Sequence, residues 1–501
     1  MRTVLSNLYP QKTLAGIGGN RVLLWSLGLG FILASLLGAT RLAFLFAHIS
    51  TDPDEGWNAL HAVLALHGKD FYSANELIGT NYPPVSFLLV DQIGKLTGDM
   101  IFAGRLLATA SVFLAGILIW RISFKLTHNR LAATGALLLF ALYNVTLCRS
   151  YLGMDDPQWL GQSCALLGLS CLLMPDAKTQ PDGWRVACAA LLFVTSGFIK
   201  QNLIGIPLAV TIWLAIEDKR AFTIWVISAG IALTLGFGLC LHAYDLAFLQ
   251  NIFFTPRHYA FSRAFIKSSL FLLTLSPMII ASYWLARNRP EDPRIGLILL
   301  CVPTSLIIGI IQRGGLGVDI NAHFGTLSIL CLIAGLCMAR TPRSWKWFFI
   351  PFIALIPLFS FKAWQDITSY PQRLAAFQTT QAHIQSQNGP VACEDLAYCY
   401  WSNKGYLLDF FLYGLRVLST HNDDAVRYAI IQGKIRLAQI DSPGHSAADA
   451  LLVAKLQGWS SKTIYRSGNN ALILFSPNLA LQNPTDKNQP HLAEISLANN
   501  D

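Results

Sequence analysis

Two short acidic motifs stand apart in a chain that is otherwise poor in charge. Residues 52–57 read DPDEGW, with Asp52, Asp54 and Glu55 inside four positions, and residues 154–157 read MDDP, with Asp155 and Asp156 side by side. Closely set carboxylates suit general-base work, in which one of them takes the proton of an attacking hydroxyl or phosphate. Candidate cations complete the set: Lys200 in GFIKQNLIG, Arg257 and His258 in TPRHYAFSR, and Arg313 in QRGGLG. Arg and Lys pair strongly with phosphate. Together these groups fit one chemistry. A carboxylate deprotonates an acceptor as it attacks a sugar carbon, and the cations hold the leaving phosphate and offset its charge.

Each motif also has a plainer role. Asp52 or Asp54 can cap a helix over GWNALHAVLALHG, where a carboxylate meets the positive end of the helix dipole. Capping accounts for one acid, not for three, and carboxylates close to hydrocarbon are costly and tend to be functional. An Asp before Pro157 suits the cap of the following helix. A lone Lys at the end of a span more often snorkels to the interface than binds a ligand. Topology is what brings these motifs to one side.

The chain has 501 residues, of which 53% are hydrophobic and only 13% charged, with a mean hydropathy of +0.45. A soluble protein carries about 25% charged residues. This composition therefore points to an integral membrane protein, each of whose spans needs about 20 apolar residues. The formal charge of +9 comes without a Lys/Arg run of the kind that binds nucleic acid. Apolar windows predict about eleven spans, near 22–46, 100–120, 131–148, 158–174, 186–199, 202–216, 221–243, 268–286, 295–312, 323–339 and 347–361. Residues 83–97 are apolar but carry Asp91 and Lys95, and read as a re-entrant or interfacial helix. The first apolar run is long enough to stay as a span, and no small-residue cleavage site follows it.

The basic loops set the orientation. Arg2, Lys12 and Arg21, then Arg121, Lys125 and Arg130, Lys219 and Arg220, Arg287, Arg289 and Arg294, and Arg340, Arg343 and Lys346 all fall on one side. That side is expected to be cytoplasmic, with the N-terminus inside. Residues 1–362 then form the membrane domain. Its long first outer loop, 47–99, holds DPDEGW and a helix with Leu60, Val63, Leu64 and His67 on one face, suited to the membrane interface. MDDP lies on the same outer side. Arg257, His258 and Arg313 are there too, against the positive-inside trend, which points to an anionic ligand.

After residue 362 the composition turns polar. Strand-like PVACE, IRLAQID and ALILFSP alternate with helix-like AVRYAIIQG and SAADALLVAKLQG, so residues 363–480 read as an extracytoplasmic α/β domain. Residues 481–501 are polar and read as a disordered tail. Eight of the ten cysteines lie in or beside apolar stretches and read as packing residues. Cys393 and Cys399 lie outside the membrane region, and an oxidising compartment would permit a disulfide between them.

These residues resemble the polytopic glycosyltransferases of the GT-C superfamily, especially the bacterial group of the lipid A aminoarabinose transferase and the lipopolysaccharide galacturonosyltransferases. Those proteins carry PDE-x-R-Y-A and then K-P-P in the first outer loop. Pro53-Asp54-Glu55 matches the first motif and NYPP at 81–84 the double proline. MDDP corresponds to their second acidic motif, with Asp156 the closer match, and Lys200 in IKQN falls where they carry Lys-Gly. The likeness covers about residues 20–340, and VACEDLAYC with LLDFF resembles their appended outer domains. Trp57 and Asn58 stand in place of Arg-Tyr, and Tyr82 in place of the Lys before the prolines, which leaves sugar and acceptor open.

The resemblance implies a GT-C fold in the bacterial inner (plasma) membrane, with a polyprenyl-phosphate sugar as donor, a cell-envelope acceptor (lipid, glycan or protein) and membrane lipids as partners. It makes Asp54 the catalytic carboxylate, with Glu55 and Asp156 in support. It makes Lys200 a contact of the donor phosphate; the outward-facing Arg257, His258 and Arg313, with Asp155 and Tyr82, complete the expected substrate-binding set, although TPRHYAFSR departs from the family's acidic-aromatic pattern. No cofactor is required, although Asp52-x-Asp54 has the spacing of a pair for Mg²⁺ or Mn²⁺.

A transporter or flippase of lipid-linked sugars is the alternative. It would place ionisable groups within the spans, where the sequence offers Arg41 and Arg105 but almost no acids. A scaffold with a recognition domain at 363–501 would leave DPDE and MDDP without a role.

Overall fold

A computed structural model describes residues 17–66, 68–72, 77–175, 182–288, 290–341 and 345–475. Arg2, Lys12, His67, Arg289, Arg343 and the tail 481–501 lie outside the described residues. The chain begins with α1 (Ile17–Leu42) and continues through α2 (Pro53–Leu64) and α3 (Val85–Thr97) to α4 (Met100–Thr127). Then follow α5 (Arg130–Val145), α6 (Gln158–Leu173), α7 (Gly183–Ile199), α8 (Gly205–Glu217) and α9 (Lys219–Tyr244). The bundle is completed by α10 (Ala247–Phe254), α11 (Phe261–Arg287), α12 (Pro293–Arg313), α13 (Phe324–Arg340), α14 (Trp345–Phe349) and α15 (Pro351–Ser386).

Each expected span has its helix. Seven apolar helical segments among the described residues are long enough to cross a membrane: those of α1, α4, α9, α11, α12, α13 and α14–α15. The other four, α5 to α8, are shorter apolar helices. In α5 and α6, 11 of the 16 residues of each helix are buried.

The segment at 83–97 folds as α3, whose 13 residues reach only about 20 Å, less than the roughly 30 Å of a bilayer core. Its two charges neutralise each other, with Lys95 Nζ 2.7 Å from Asp91 Oδ2. Gly98 ends it at φ +82°, in the left-handed region that glycine adopts without strain. At the other end of the loop, Asp52 caps α2: its Oδ1 accepts from Asp54 N at 3.1 Å, and Pro53 takes the first helical position.

The C-terminal domain, outer in the expected topology, contains β1 (Val391–Cys393), α16 (Leu396–Trp401), α17 (Phe410–Thr420), α18 (Asp424–Ile431), β2 (Leu437–Asp441), α19 (Ala447–Trp459), β3 (Ser460–Ser467) and β4 (Asn470–Phe475). The sheet order is β1-β2-β4-β3, with β1 and β2 parallel and the other pairs antiparallel. Leu437 pairs with both Val391 and Leu474, at the centre of the sheet. Central β2 is buried at Leu437, Ala438, Gln439 and Ile440, as a strand covered on both faces must be. The expected strands are β1, β2 and β4. The fourth, β3, reads SSKTIYRS: it is a half-exposed edge strand with little apolar pattern to announce it. Cys393 and Cys399 form a disulfide that ties the end of β1 to α16.

The composition change at 363 falls inside a helix. α15 continues through it for 36 residues in all, and beyond it Phe377, Thr380 and Ile384 are buried at helical spacing. The change marks where the helix leaves an apolar surround for a polar one, not a break in the chain.

The outer domain sits directly on the first loop of the membrane domain. Gly56 of α2 is so close to α16 that a Cβ would lie 2.0 Å from Ala397 N. Tyr400 accepts from Met100 N at 2.7 Å, and Trp401 Nε1 donates to Asp99 Oδ2 at 2.9 Å. Asp99 is also the cap of α4.

Candidate active site

An arginine fixes the DPDE loop. Arg105, buried in α4, donates through Nε and Nη2 to the two oxygens of Glu55 at 2.7 and 2.6 Å. Its remaining N–H groups reach the carbonyls of Phe44, Ala47 and Ile49 at 2.7–2.8 Å. Glu55 also accepts from Thr51 N at 2.9 Å and from Asp155 N at 3.4 Å. The pair is 1% and 0% exposed, a planar fork closed on a carboxylate away from water. Glu55, expected beside Asp54 and Asp156 in the catalytic set, is thus the ion-pair partner of Arg105. Its oxygens are taken up, so it positions the loop that carries Asp54. It also accounts for Arg105, an apparent oddity within an apolar span.

Asp54 is placed differently. It is exposed at the first turn of α2, with Asp156, Lys200, Asp319 and Asp409 in electrostatic reach of its carboxyl. Loss of hydration, then the charge of Asp156, raise its pKa to about 6; Lys200 opposes the rise and Asp319 and Asp409 add to it. Asp52 lies beside it, raised above the usual carboxylate range by burial and by Asp54 itself. One Asp52 oxygen is used as the helix cap. Among the described residues, no three His, Cys, Asp or Glu side chains group as a metal site.

Asp156 and Lys200 form the second half of the site. Lys200 follows α7 and Asp156 precedes α6, and Nζ meets Oδ2 at 3.0 Å with both side chains buried. The other Asp156 oxygen accepts from Gln158 N at 2.7 Å, at the start of α6. Lys200 Nζ also stands 4.7 Å from the centre of the Tyr82 ring, which meets the Trp57 indole edge-on at 5.3 Å. In the sequence Tyr82 replaces a lysine before the double proline; in the structure it gives Lys200 an aromatic face.

Asp155 turns inward. Its carbonyl accepts from Asn58 Nδ2 at 2.6 Å, while Oδ2 is buried without a partner. Burial, then the charge of Glu55, hold its carboxyl well above the ordinary range. Gly104 makes room for it, since a Cβ there would meet the Asp155 carboxylate at 2.0 Å.

The remaining predicted cations are spread out. Arg257 is exposed and within electrostatic reach of Tyr82. His258 contributes its carbonyl, which accepts from Leu316 N at 2.8 Å. Arg313 is buried, donating to Asp319 Oδ1 at 2.9 Å and to Lys267 O at 2.8 Å. Arg313 therefore holds the 314–319 loop that carries Asp319, and does not face the cleft as a free cation.

The outer domain supplies what sequence reasoning missed. Trp57 Nε1 donates to Asp409 Oδ2 at 2.8 Å, and Tyr406 donates to the same oxygen at 2.7 Å. Near this contact, a cleft of about 610 Å³ runs between the two parts of the chain. Gly79, Asn251, Phe254 and Pro256 line one side, and Leu412, Arg416 and Asn422 the other. Leu412 packs in one cluster with Trp57.

No family model matches the chain. No curated protein matches it by sequence. Its fold, however, is similar to two crystal structures of ArnT from Cupriavidus metallidurans. In the one bound to undecaprenyl phosphate, the likeness has a TM-score of 0.59 at 11% identity, over 89% of this chain and 98% of that one. In the apo state, the TM-score is 0.60 at 13% identity, over 90% and 99%. This chain has an ArnT-like fold. The likeness takes in the outer domain as well as the helices, so the ArnT-like architecture is a polytopic helical bundle with a C-terminal α/β domain. The GT-C resemblance read from the DPDE, NYPP, MDDP and IKQN motifs is matched at the level of fold.

Proposed function

We propose that this protein is a membrane glycosyltransferase that moves a hexose or pentose from a polyprenyl-phosphate carrier to a cell-envelope acceptor, with inversion at the sugar carbon. The observation that carries the reading is the placement of Asp54. It is the accessible carboxylate of the site, with a pKa of about 6, and it stands within electrostatic reach of the Lys200–Asp156 pair. It does so on a fold that in ArnT holds undecaprenyl phosphate.

In this scheme Asp54 accepts the proton of the acceptor hydroxyl as that oxygen bonds to the anomeric carbon. The bond from that carbon to the phosphate oxygen breaks, and polyprenyl phosphate leaves with the electron pair. Lys200, steadied by Asp156, and Arg257 offset the charge that develops on the phosphate. With positive charge supplied in this way, the scheme needs no divalent cation. The Cys393–Cys399 disulfide supports an outer domain in an oxidising compartment, outside a bacterial inner membrane. Lipid-carried donors suit that side.

The test is transfer of radiolabelled sugar from polyprenyl phosphate by the purified protein in membranes, against Asp54→Asn. Loss of about 10²–10⁴-fold with folding intact supports the base assignment. Full activity in the variant would remove Asp54 from the mechanism. Movement of the labelled lipid across the bilayer without transfer would favour a flippase instead.

A further inference from the structure

A second charged cluster is built from residues outside the carboxylate site. Arg41 is the penultimate residue of α1, Arg149 opens the short turn after α5, and Arg373 lies on α15. Arg149, Arg373 and Asp366 of α15 are all within electrostatic reach of Arg41. Glu55 is also in reach, but Arg105 already neutralises it. Arg41 and Arg149 thus share one carboxylate, with the exposed Arg373 within electrostatic reach, leaving an excess of positive charge.

The hydrogen bonding is incomplete as well. Arg149 is only 8% exposed, and its Nη2 lies 2.8 Å from Asp366 Oδ2. Yet neither its Nη2 nor its Nε has a partner in hydrogen-bonding geometry, and Arg41 Nε is also buried and unpartnered. Arg41 Nη2 donates to Ser150 O at 3.2 Å, which draws both arginines to the same turn. Buried N–H groups without a well-aligned acceptor are costly, so each such group calls for a partner.

The surroundings name the partner. Phe361 and Trp364 stack on α15 next to Asp366 and are 55% and 59% exposed, and Phe46, just past α1, is 75% exposed. Exposed aromatic rings, Trp above all, collect where hydrocarbon gives way to headgroups. The cluster therefore sits at headgroup depth. We propose that Arg41, Arg149 and Arg373 bind the phosphate of an anionic membrane lipid, and that the bound lipid steadies the turn leading into MDDP.

The experiment is native mass spectrometry of the full chain in detergent, titrated with phosphatidylglycerol, with phosphatidylcholine and with inorganic phosphate. Phosphatidylglycerol is retained selectively. Arg149→Gln weakens that retention about tenfold or more, as expected for loss of a charge-assisted contact. Arg41→Gln and Arg373→Gln do the same, which covers the case of Arg149→Gln failing to fold. Asp366→Asn removes a competing anion and tightens binding. Retention unchanged in the arginine variants, or unchanged in Asp366→Asn with lowered thermal stability, would mean a structural ion pair and overturn the proposal. Displacement of the lipid by inorganic phosphate would show a site for a soluble anion and overturn it equally.

Discussion

Lys200 and Asp156 meet at 3.0 Å across 44 positions of sequence, and the lysine rests at the same time on the ring of Tyr82. Neither residue alone explains the other's burial. Removing the lysine leaves Asp156 charged and unpaired in the interior; removing the aspartate frees the ammonium from its fixed position. Lys200→Gln is expected to raise the KM for the lipid-linked donor by about 10- to 100-fold, the range of a lost charged hydrogen bond. The acceptor KM should change little. Steady-state kinetics with each substrate varied in turn would show the split, and an equal loss for both would place Lys200 outside the donor site.

The raised pKa of Asp54 sets the pH profile. A base works only when ionised, so kcat/KM is expected to rise with pH and level off above about 6. Asp156 is the largest charge contributing to that rise. Asp156→Asn should therefore move the acidic limb to lower pH, toward the ordinary carboxylate value. A limb that stays in place would mean that another group titrates.

Glu55 and Arg105 form a pair that is stabilising only when whole. Breaking a buried ion pair from one side typically costs about 3–5 kcal/mol. Arg105→Met should lower the thermal midpoint of the protein sharply, and Glu55→Gln less so, since the amide still accepts from one N–H of the fork. A Glu55→Leu/Arg105→Met double variant should recover much of the loss, because no charge is then left buried. Thermal unfolding of the three variants in detergent checks the order.

The outer domain has its own buried carboxyl. Glu394 accepts from the main-chain N–H groups of Asp441 and His445, but burial dominates and pushes its pKa up to about 9. A carboxyl raised in the folded state favours the fold while protonated. That stabilisation is whole below the unfolded value near 4.5 and lost as pH climbs through about 9. The thermal midpoint should thus fall between pH 7 and pH 9, and Glu394→Gln should flatten the fall. Matching curves for both proteins would show that Glu394 is already ionised at neutral pH.

Much of the site was legible because its residues break local rules. Acids at the end of an apolar run, a lysine between two spans and a capping Asp before proline are visible to anyone counting charges against hydropathy. α3 was legible for the same reason: Asp91 and Lys95 spoil a span but suit a short helix. The different surroundings of Asp54 and Glu55 were not legible. They are neighbours in sequence, and only the fork of Arg105, from another helix, separates them. An arginine in the apolar stretch 100–127 was the available signal. The bond from Trp57 to Asp409 crosses 352 positions, and no local pattern encodes it.

The single helix α15 makes a mast of the last span. Its 36 residues, with Pro357 and Pro371 inside the helix, rise about 54 Å, planted in the apolar layer at one end and carrying the outer domain at the other. A bilayer of different thickness tilts such a rod. A tilt of roughly 5° displaces a point some 30 Å up the rod by about 3 Å, as much as a hydrogen bond is long. The Trp57–Asp409 and Trp401–Asp99 bonds act as stays against that motion. Bilayer thickness would thereby bear on the contact between the outer domain and α2, the helix that carries Asp54.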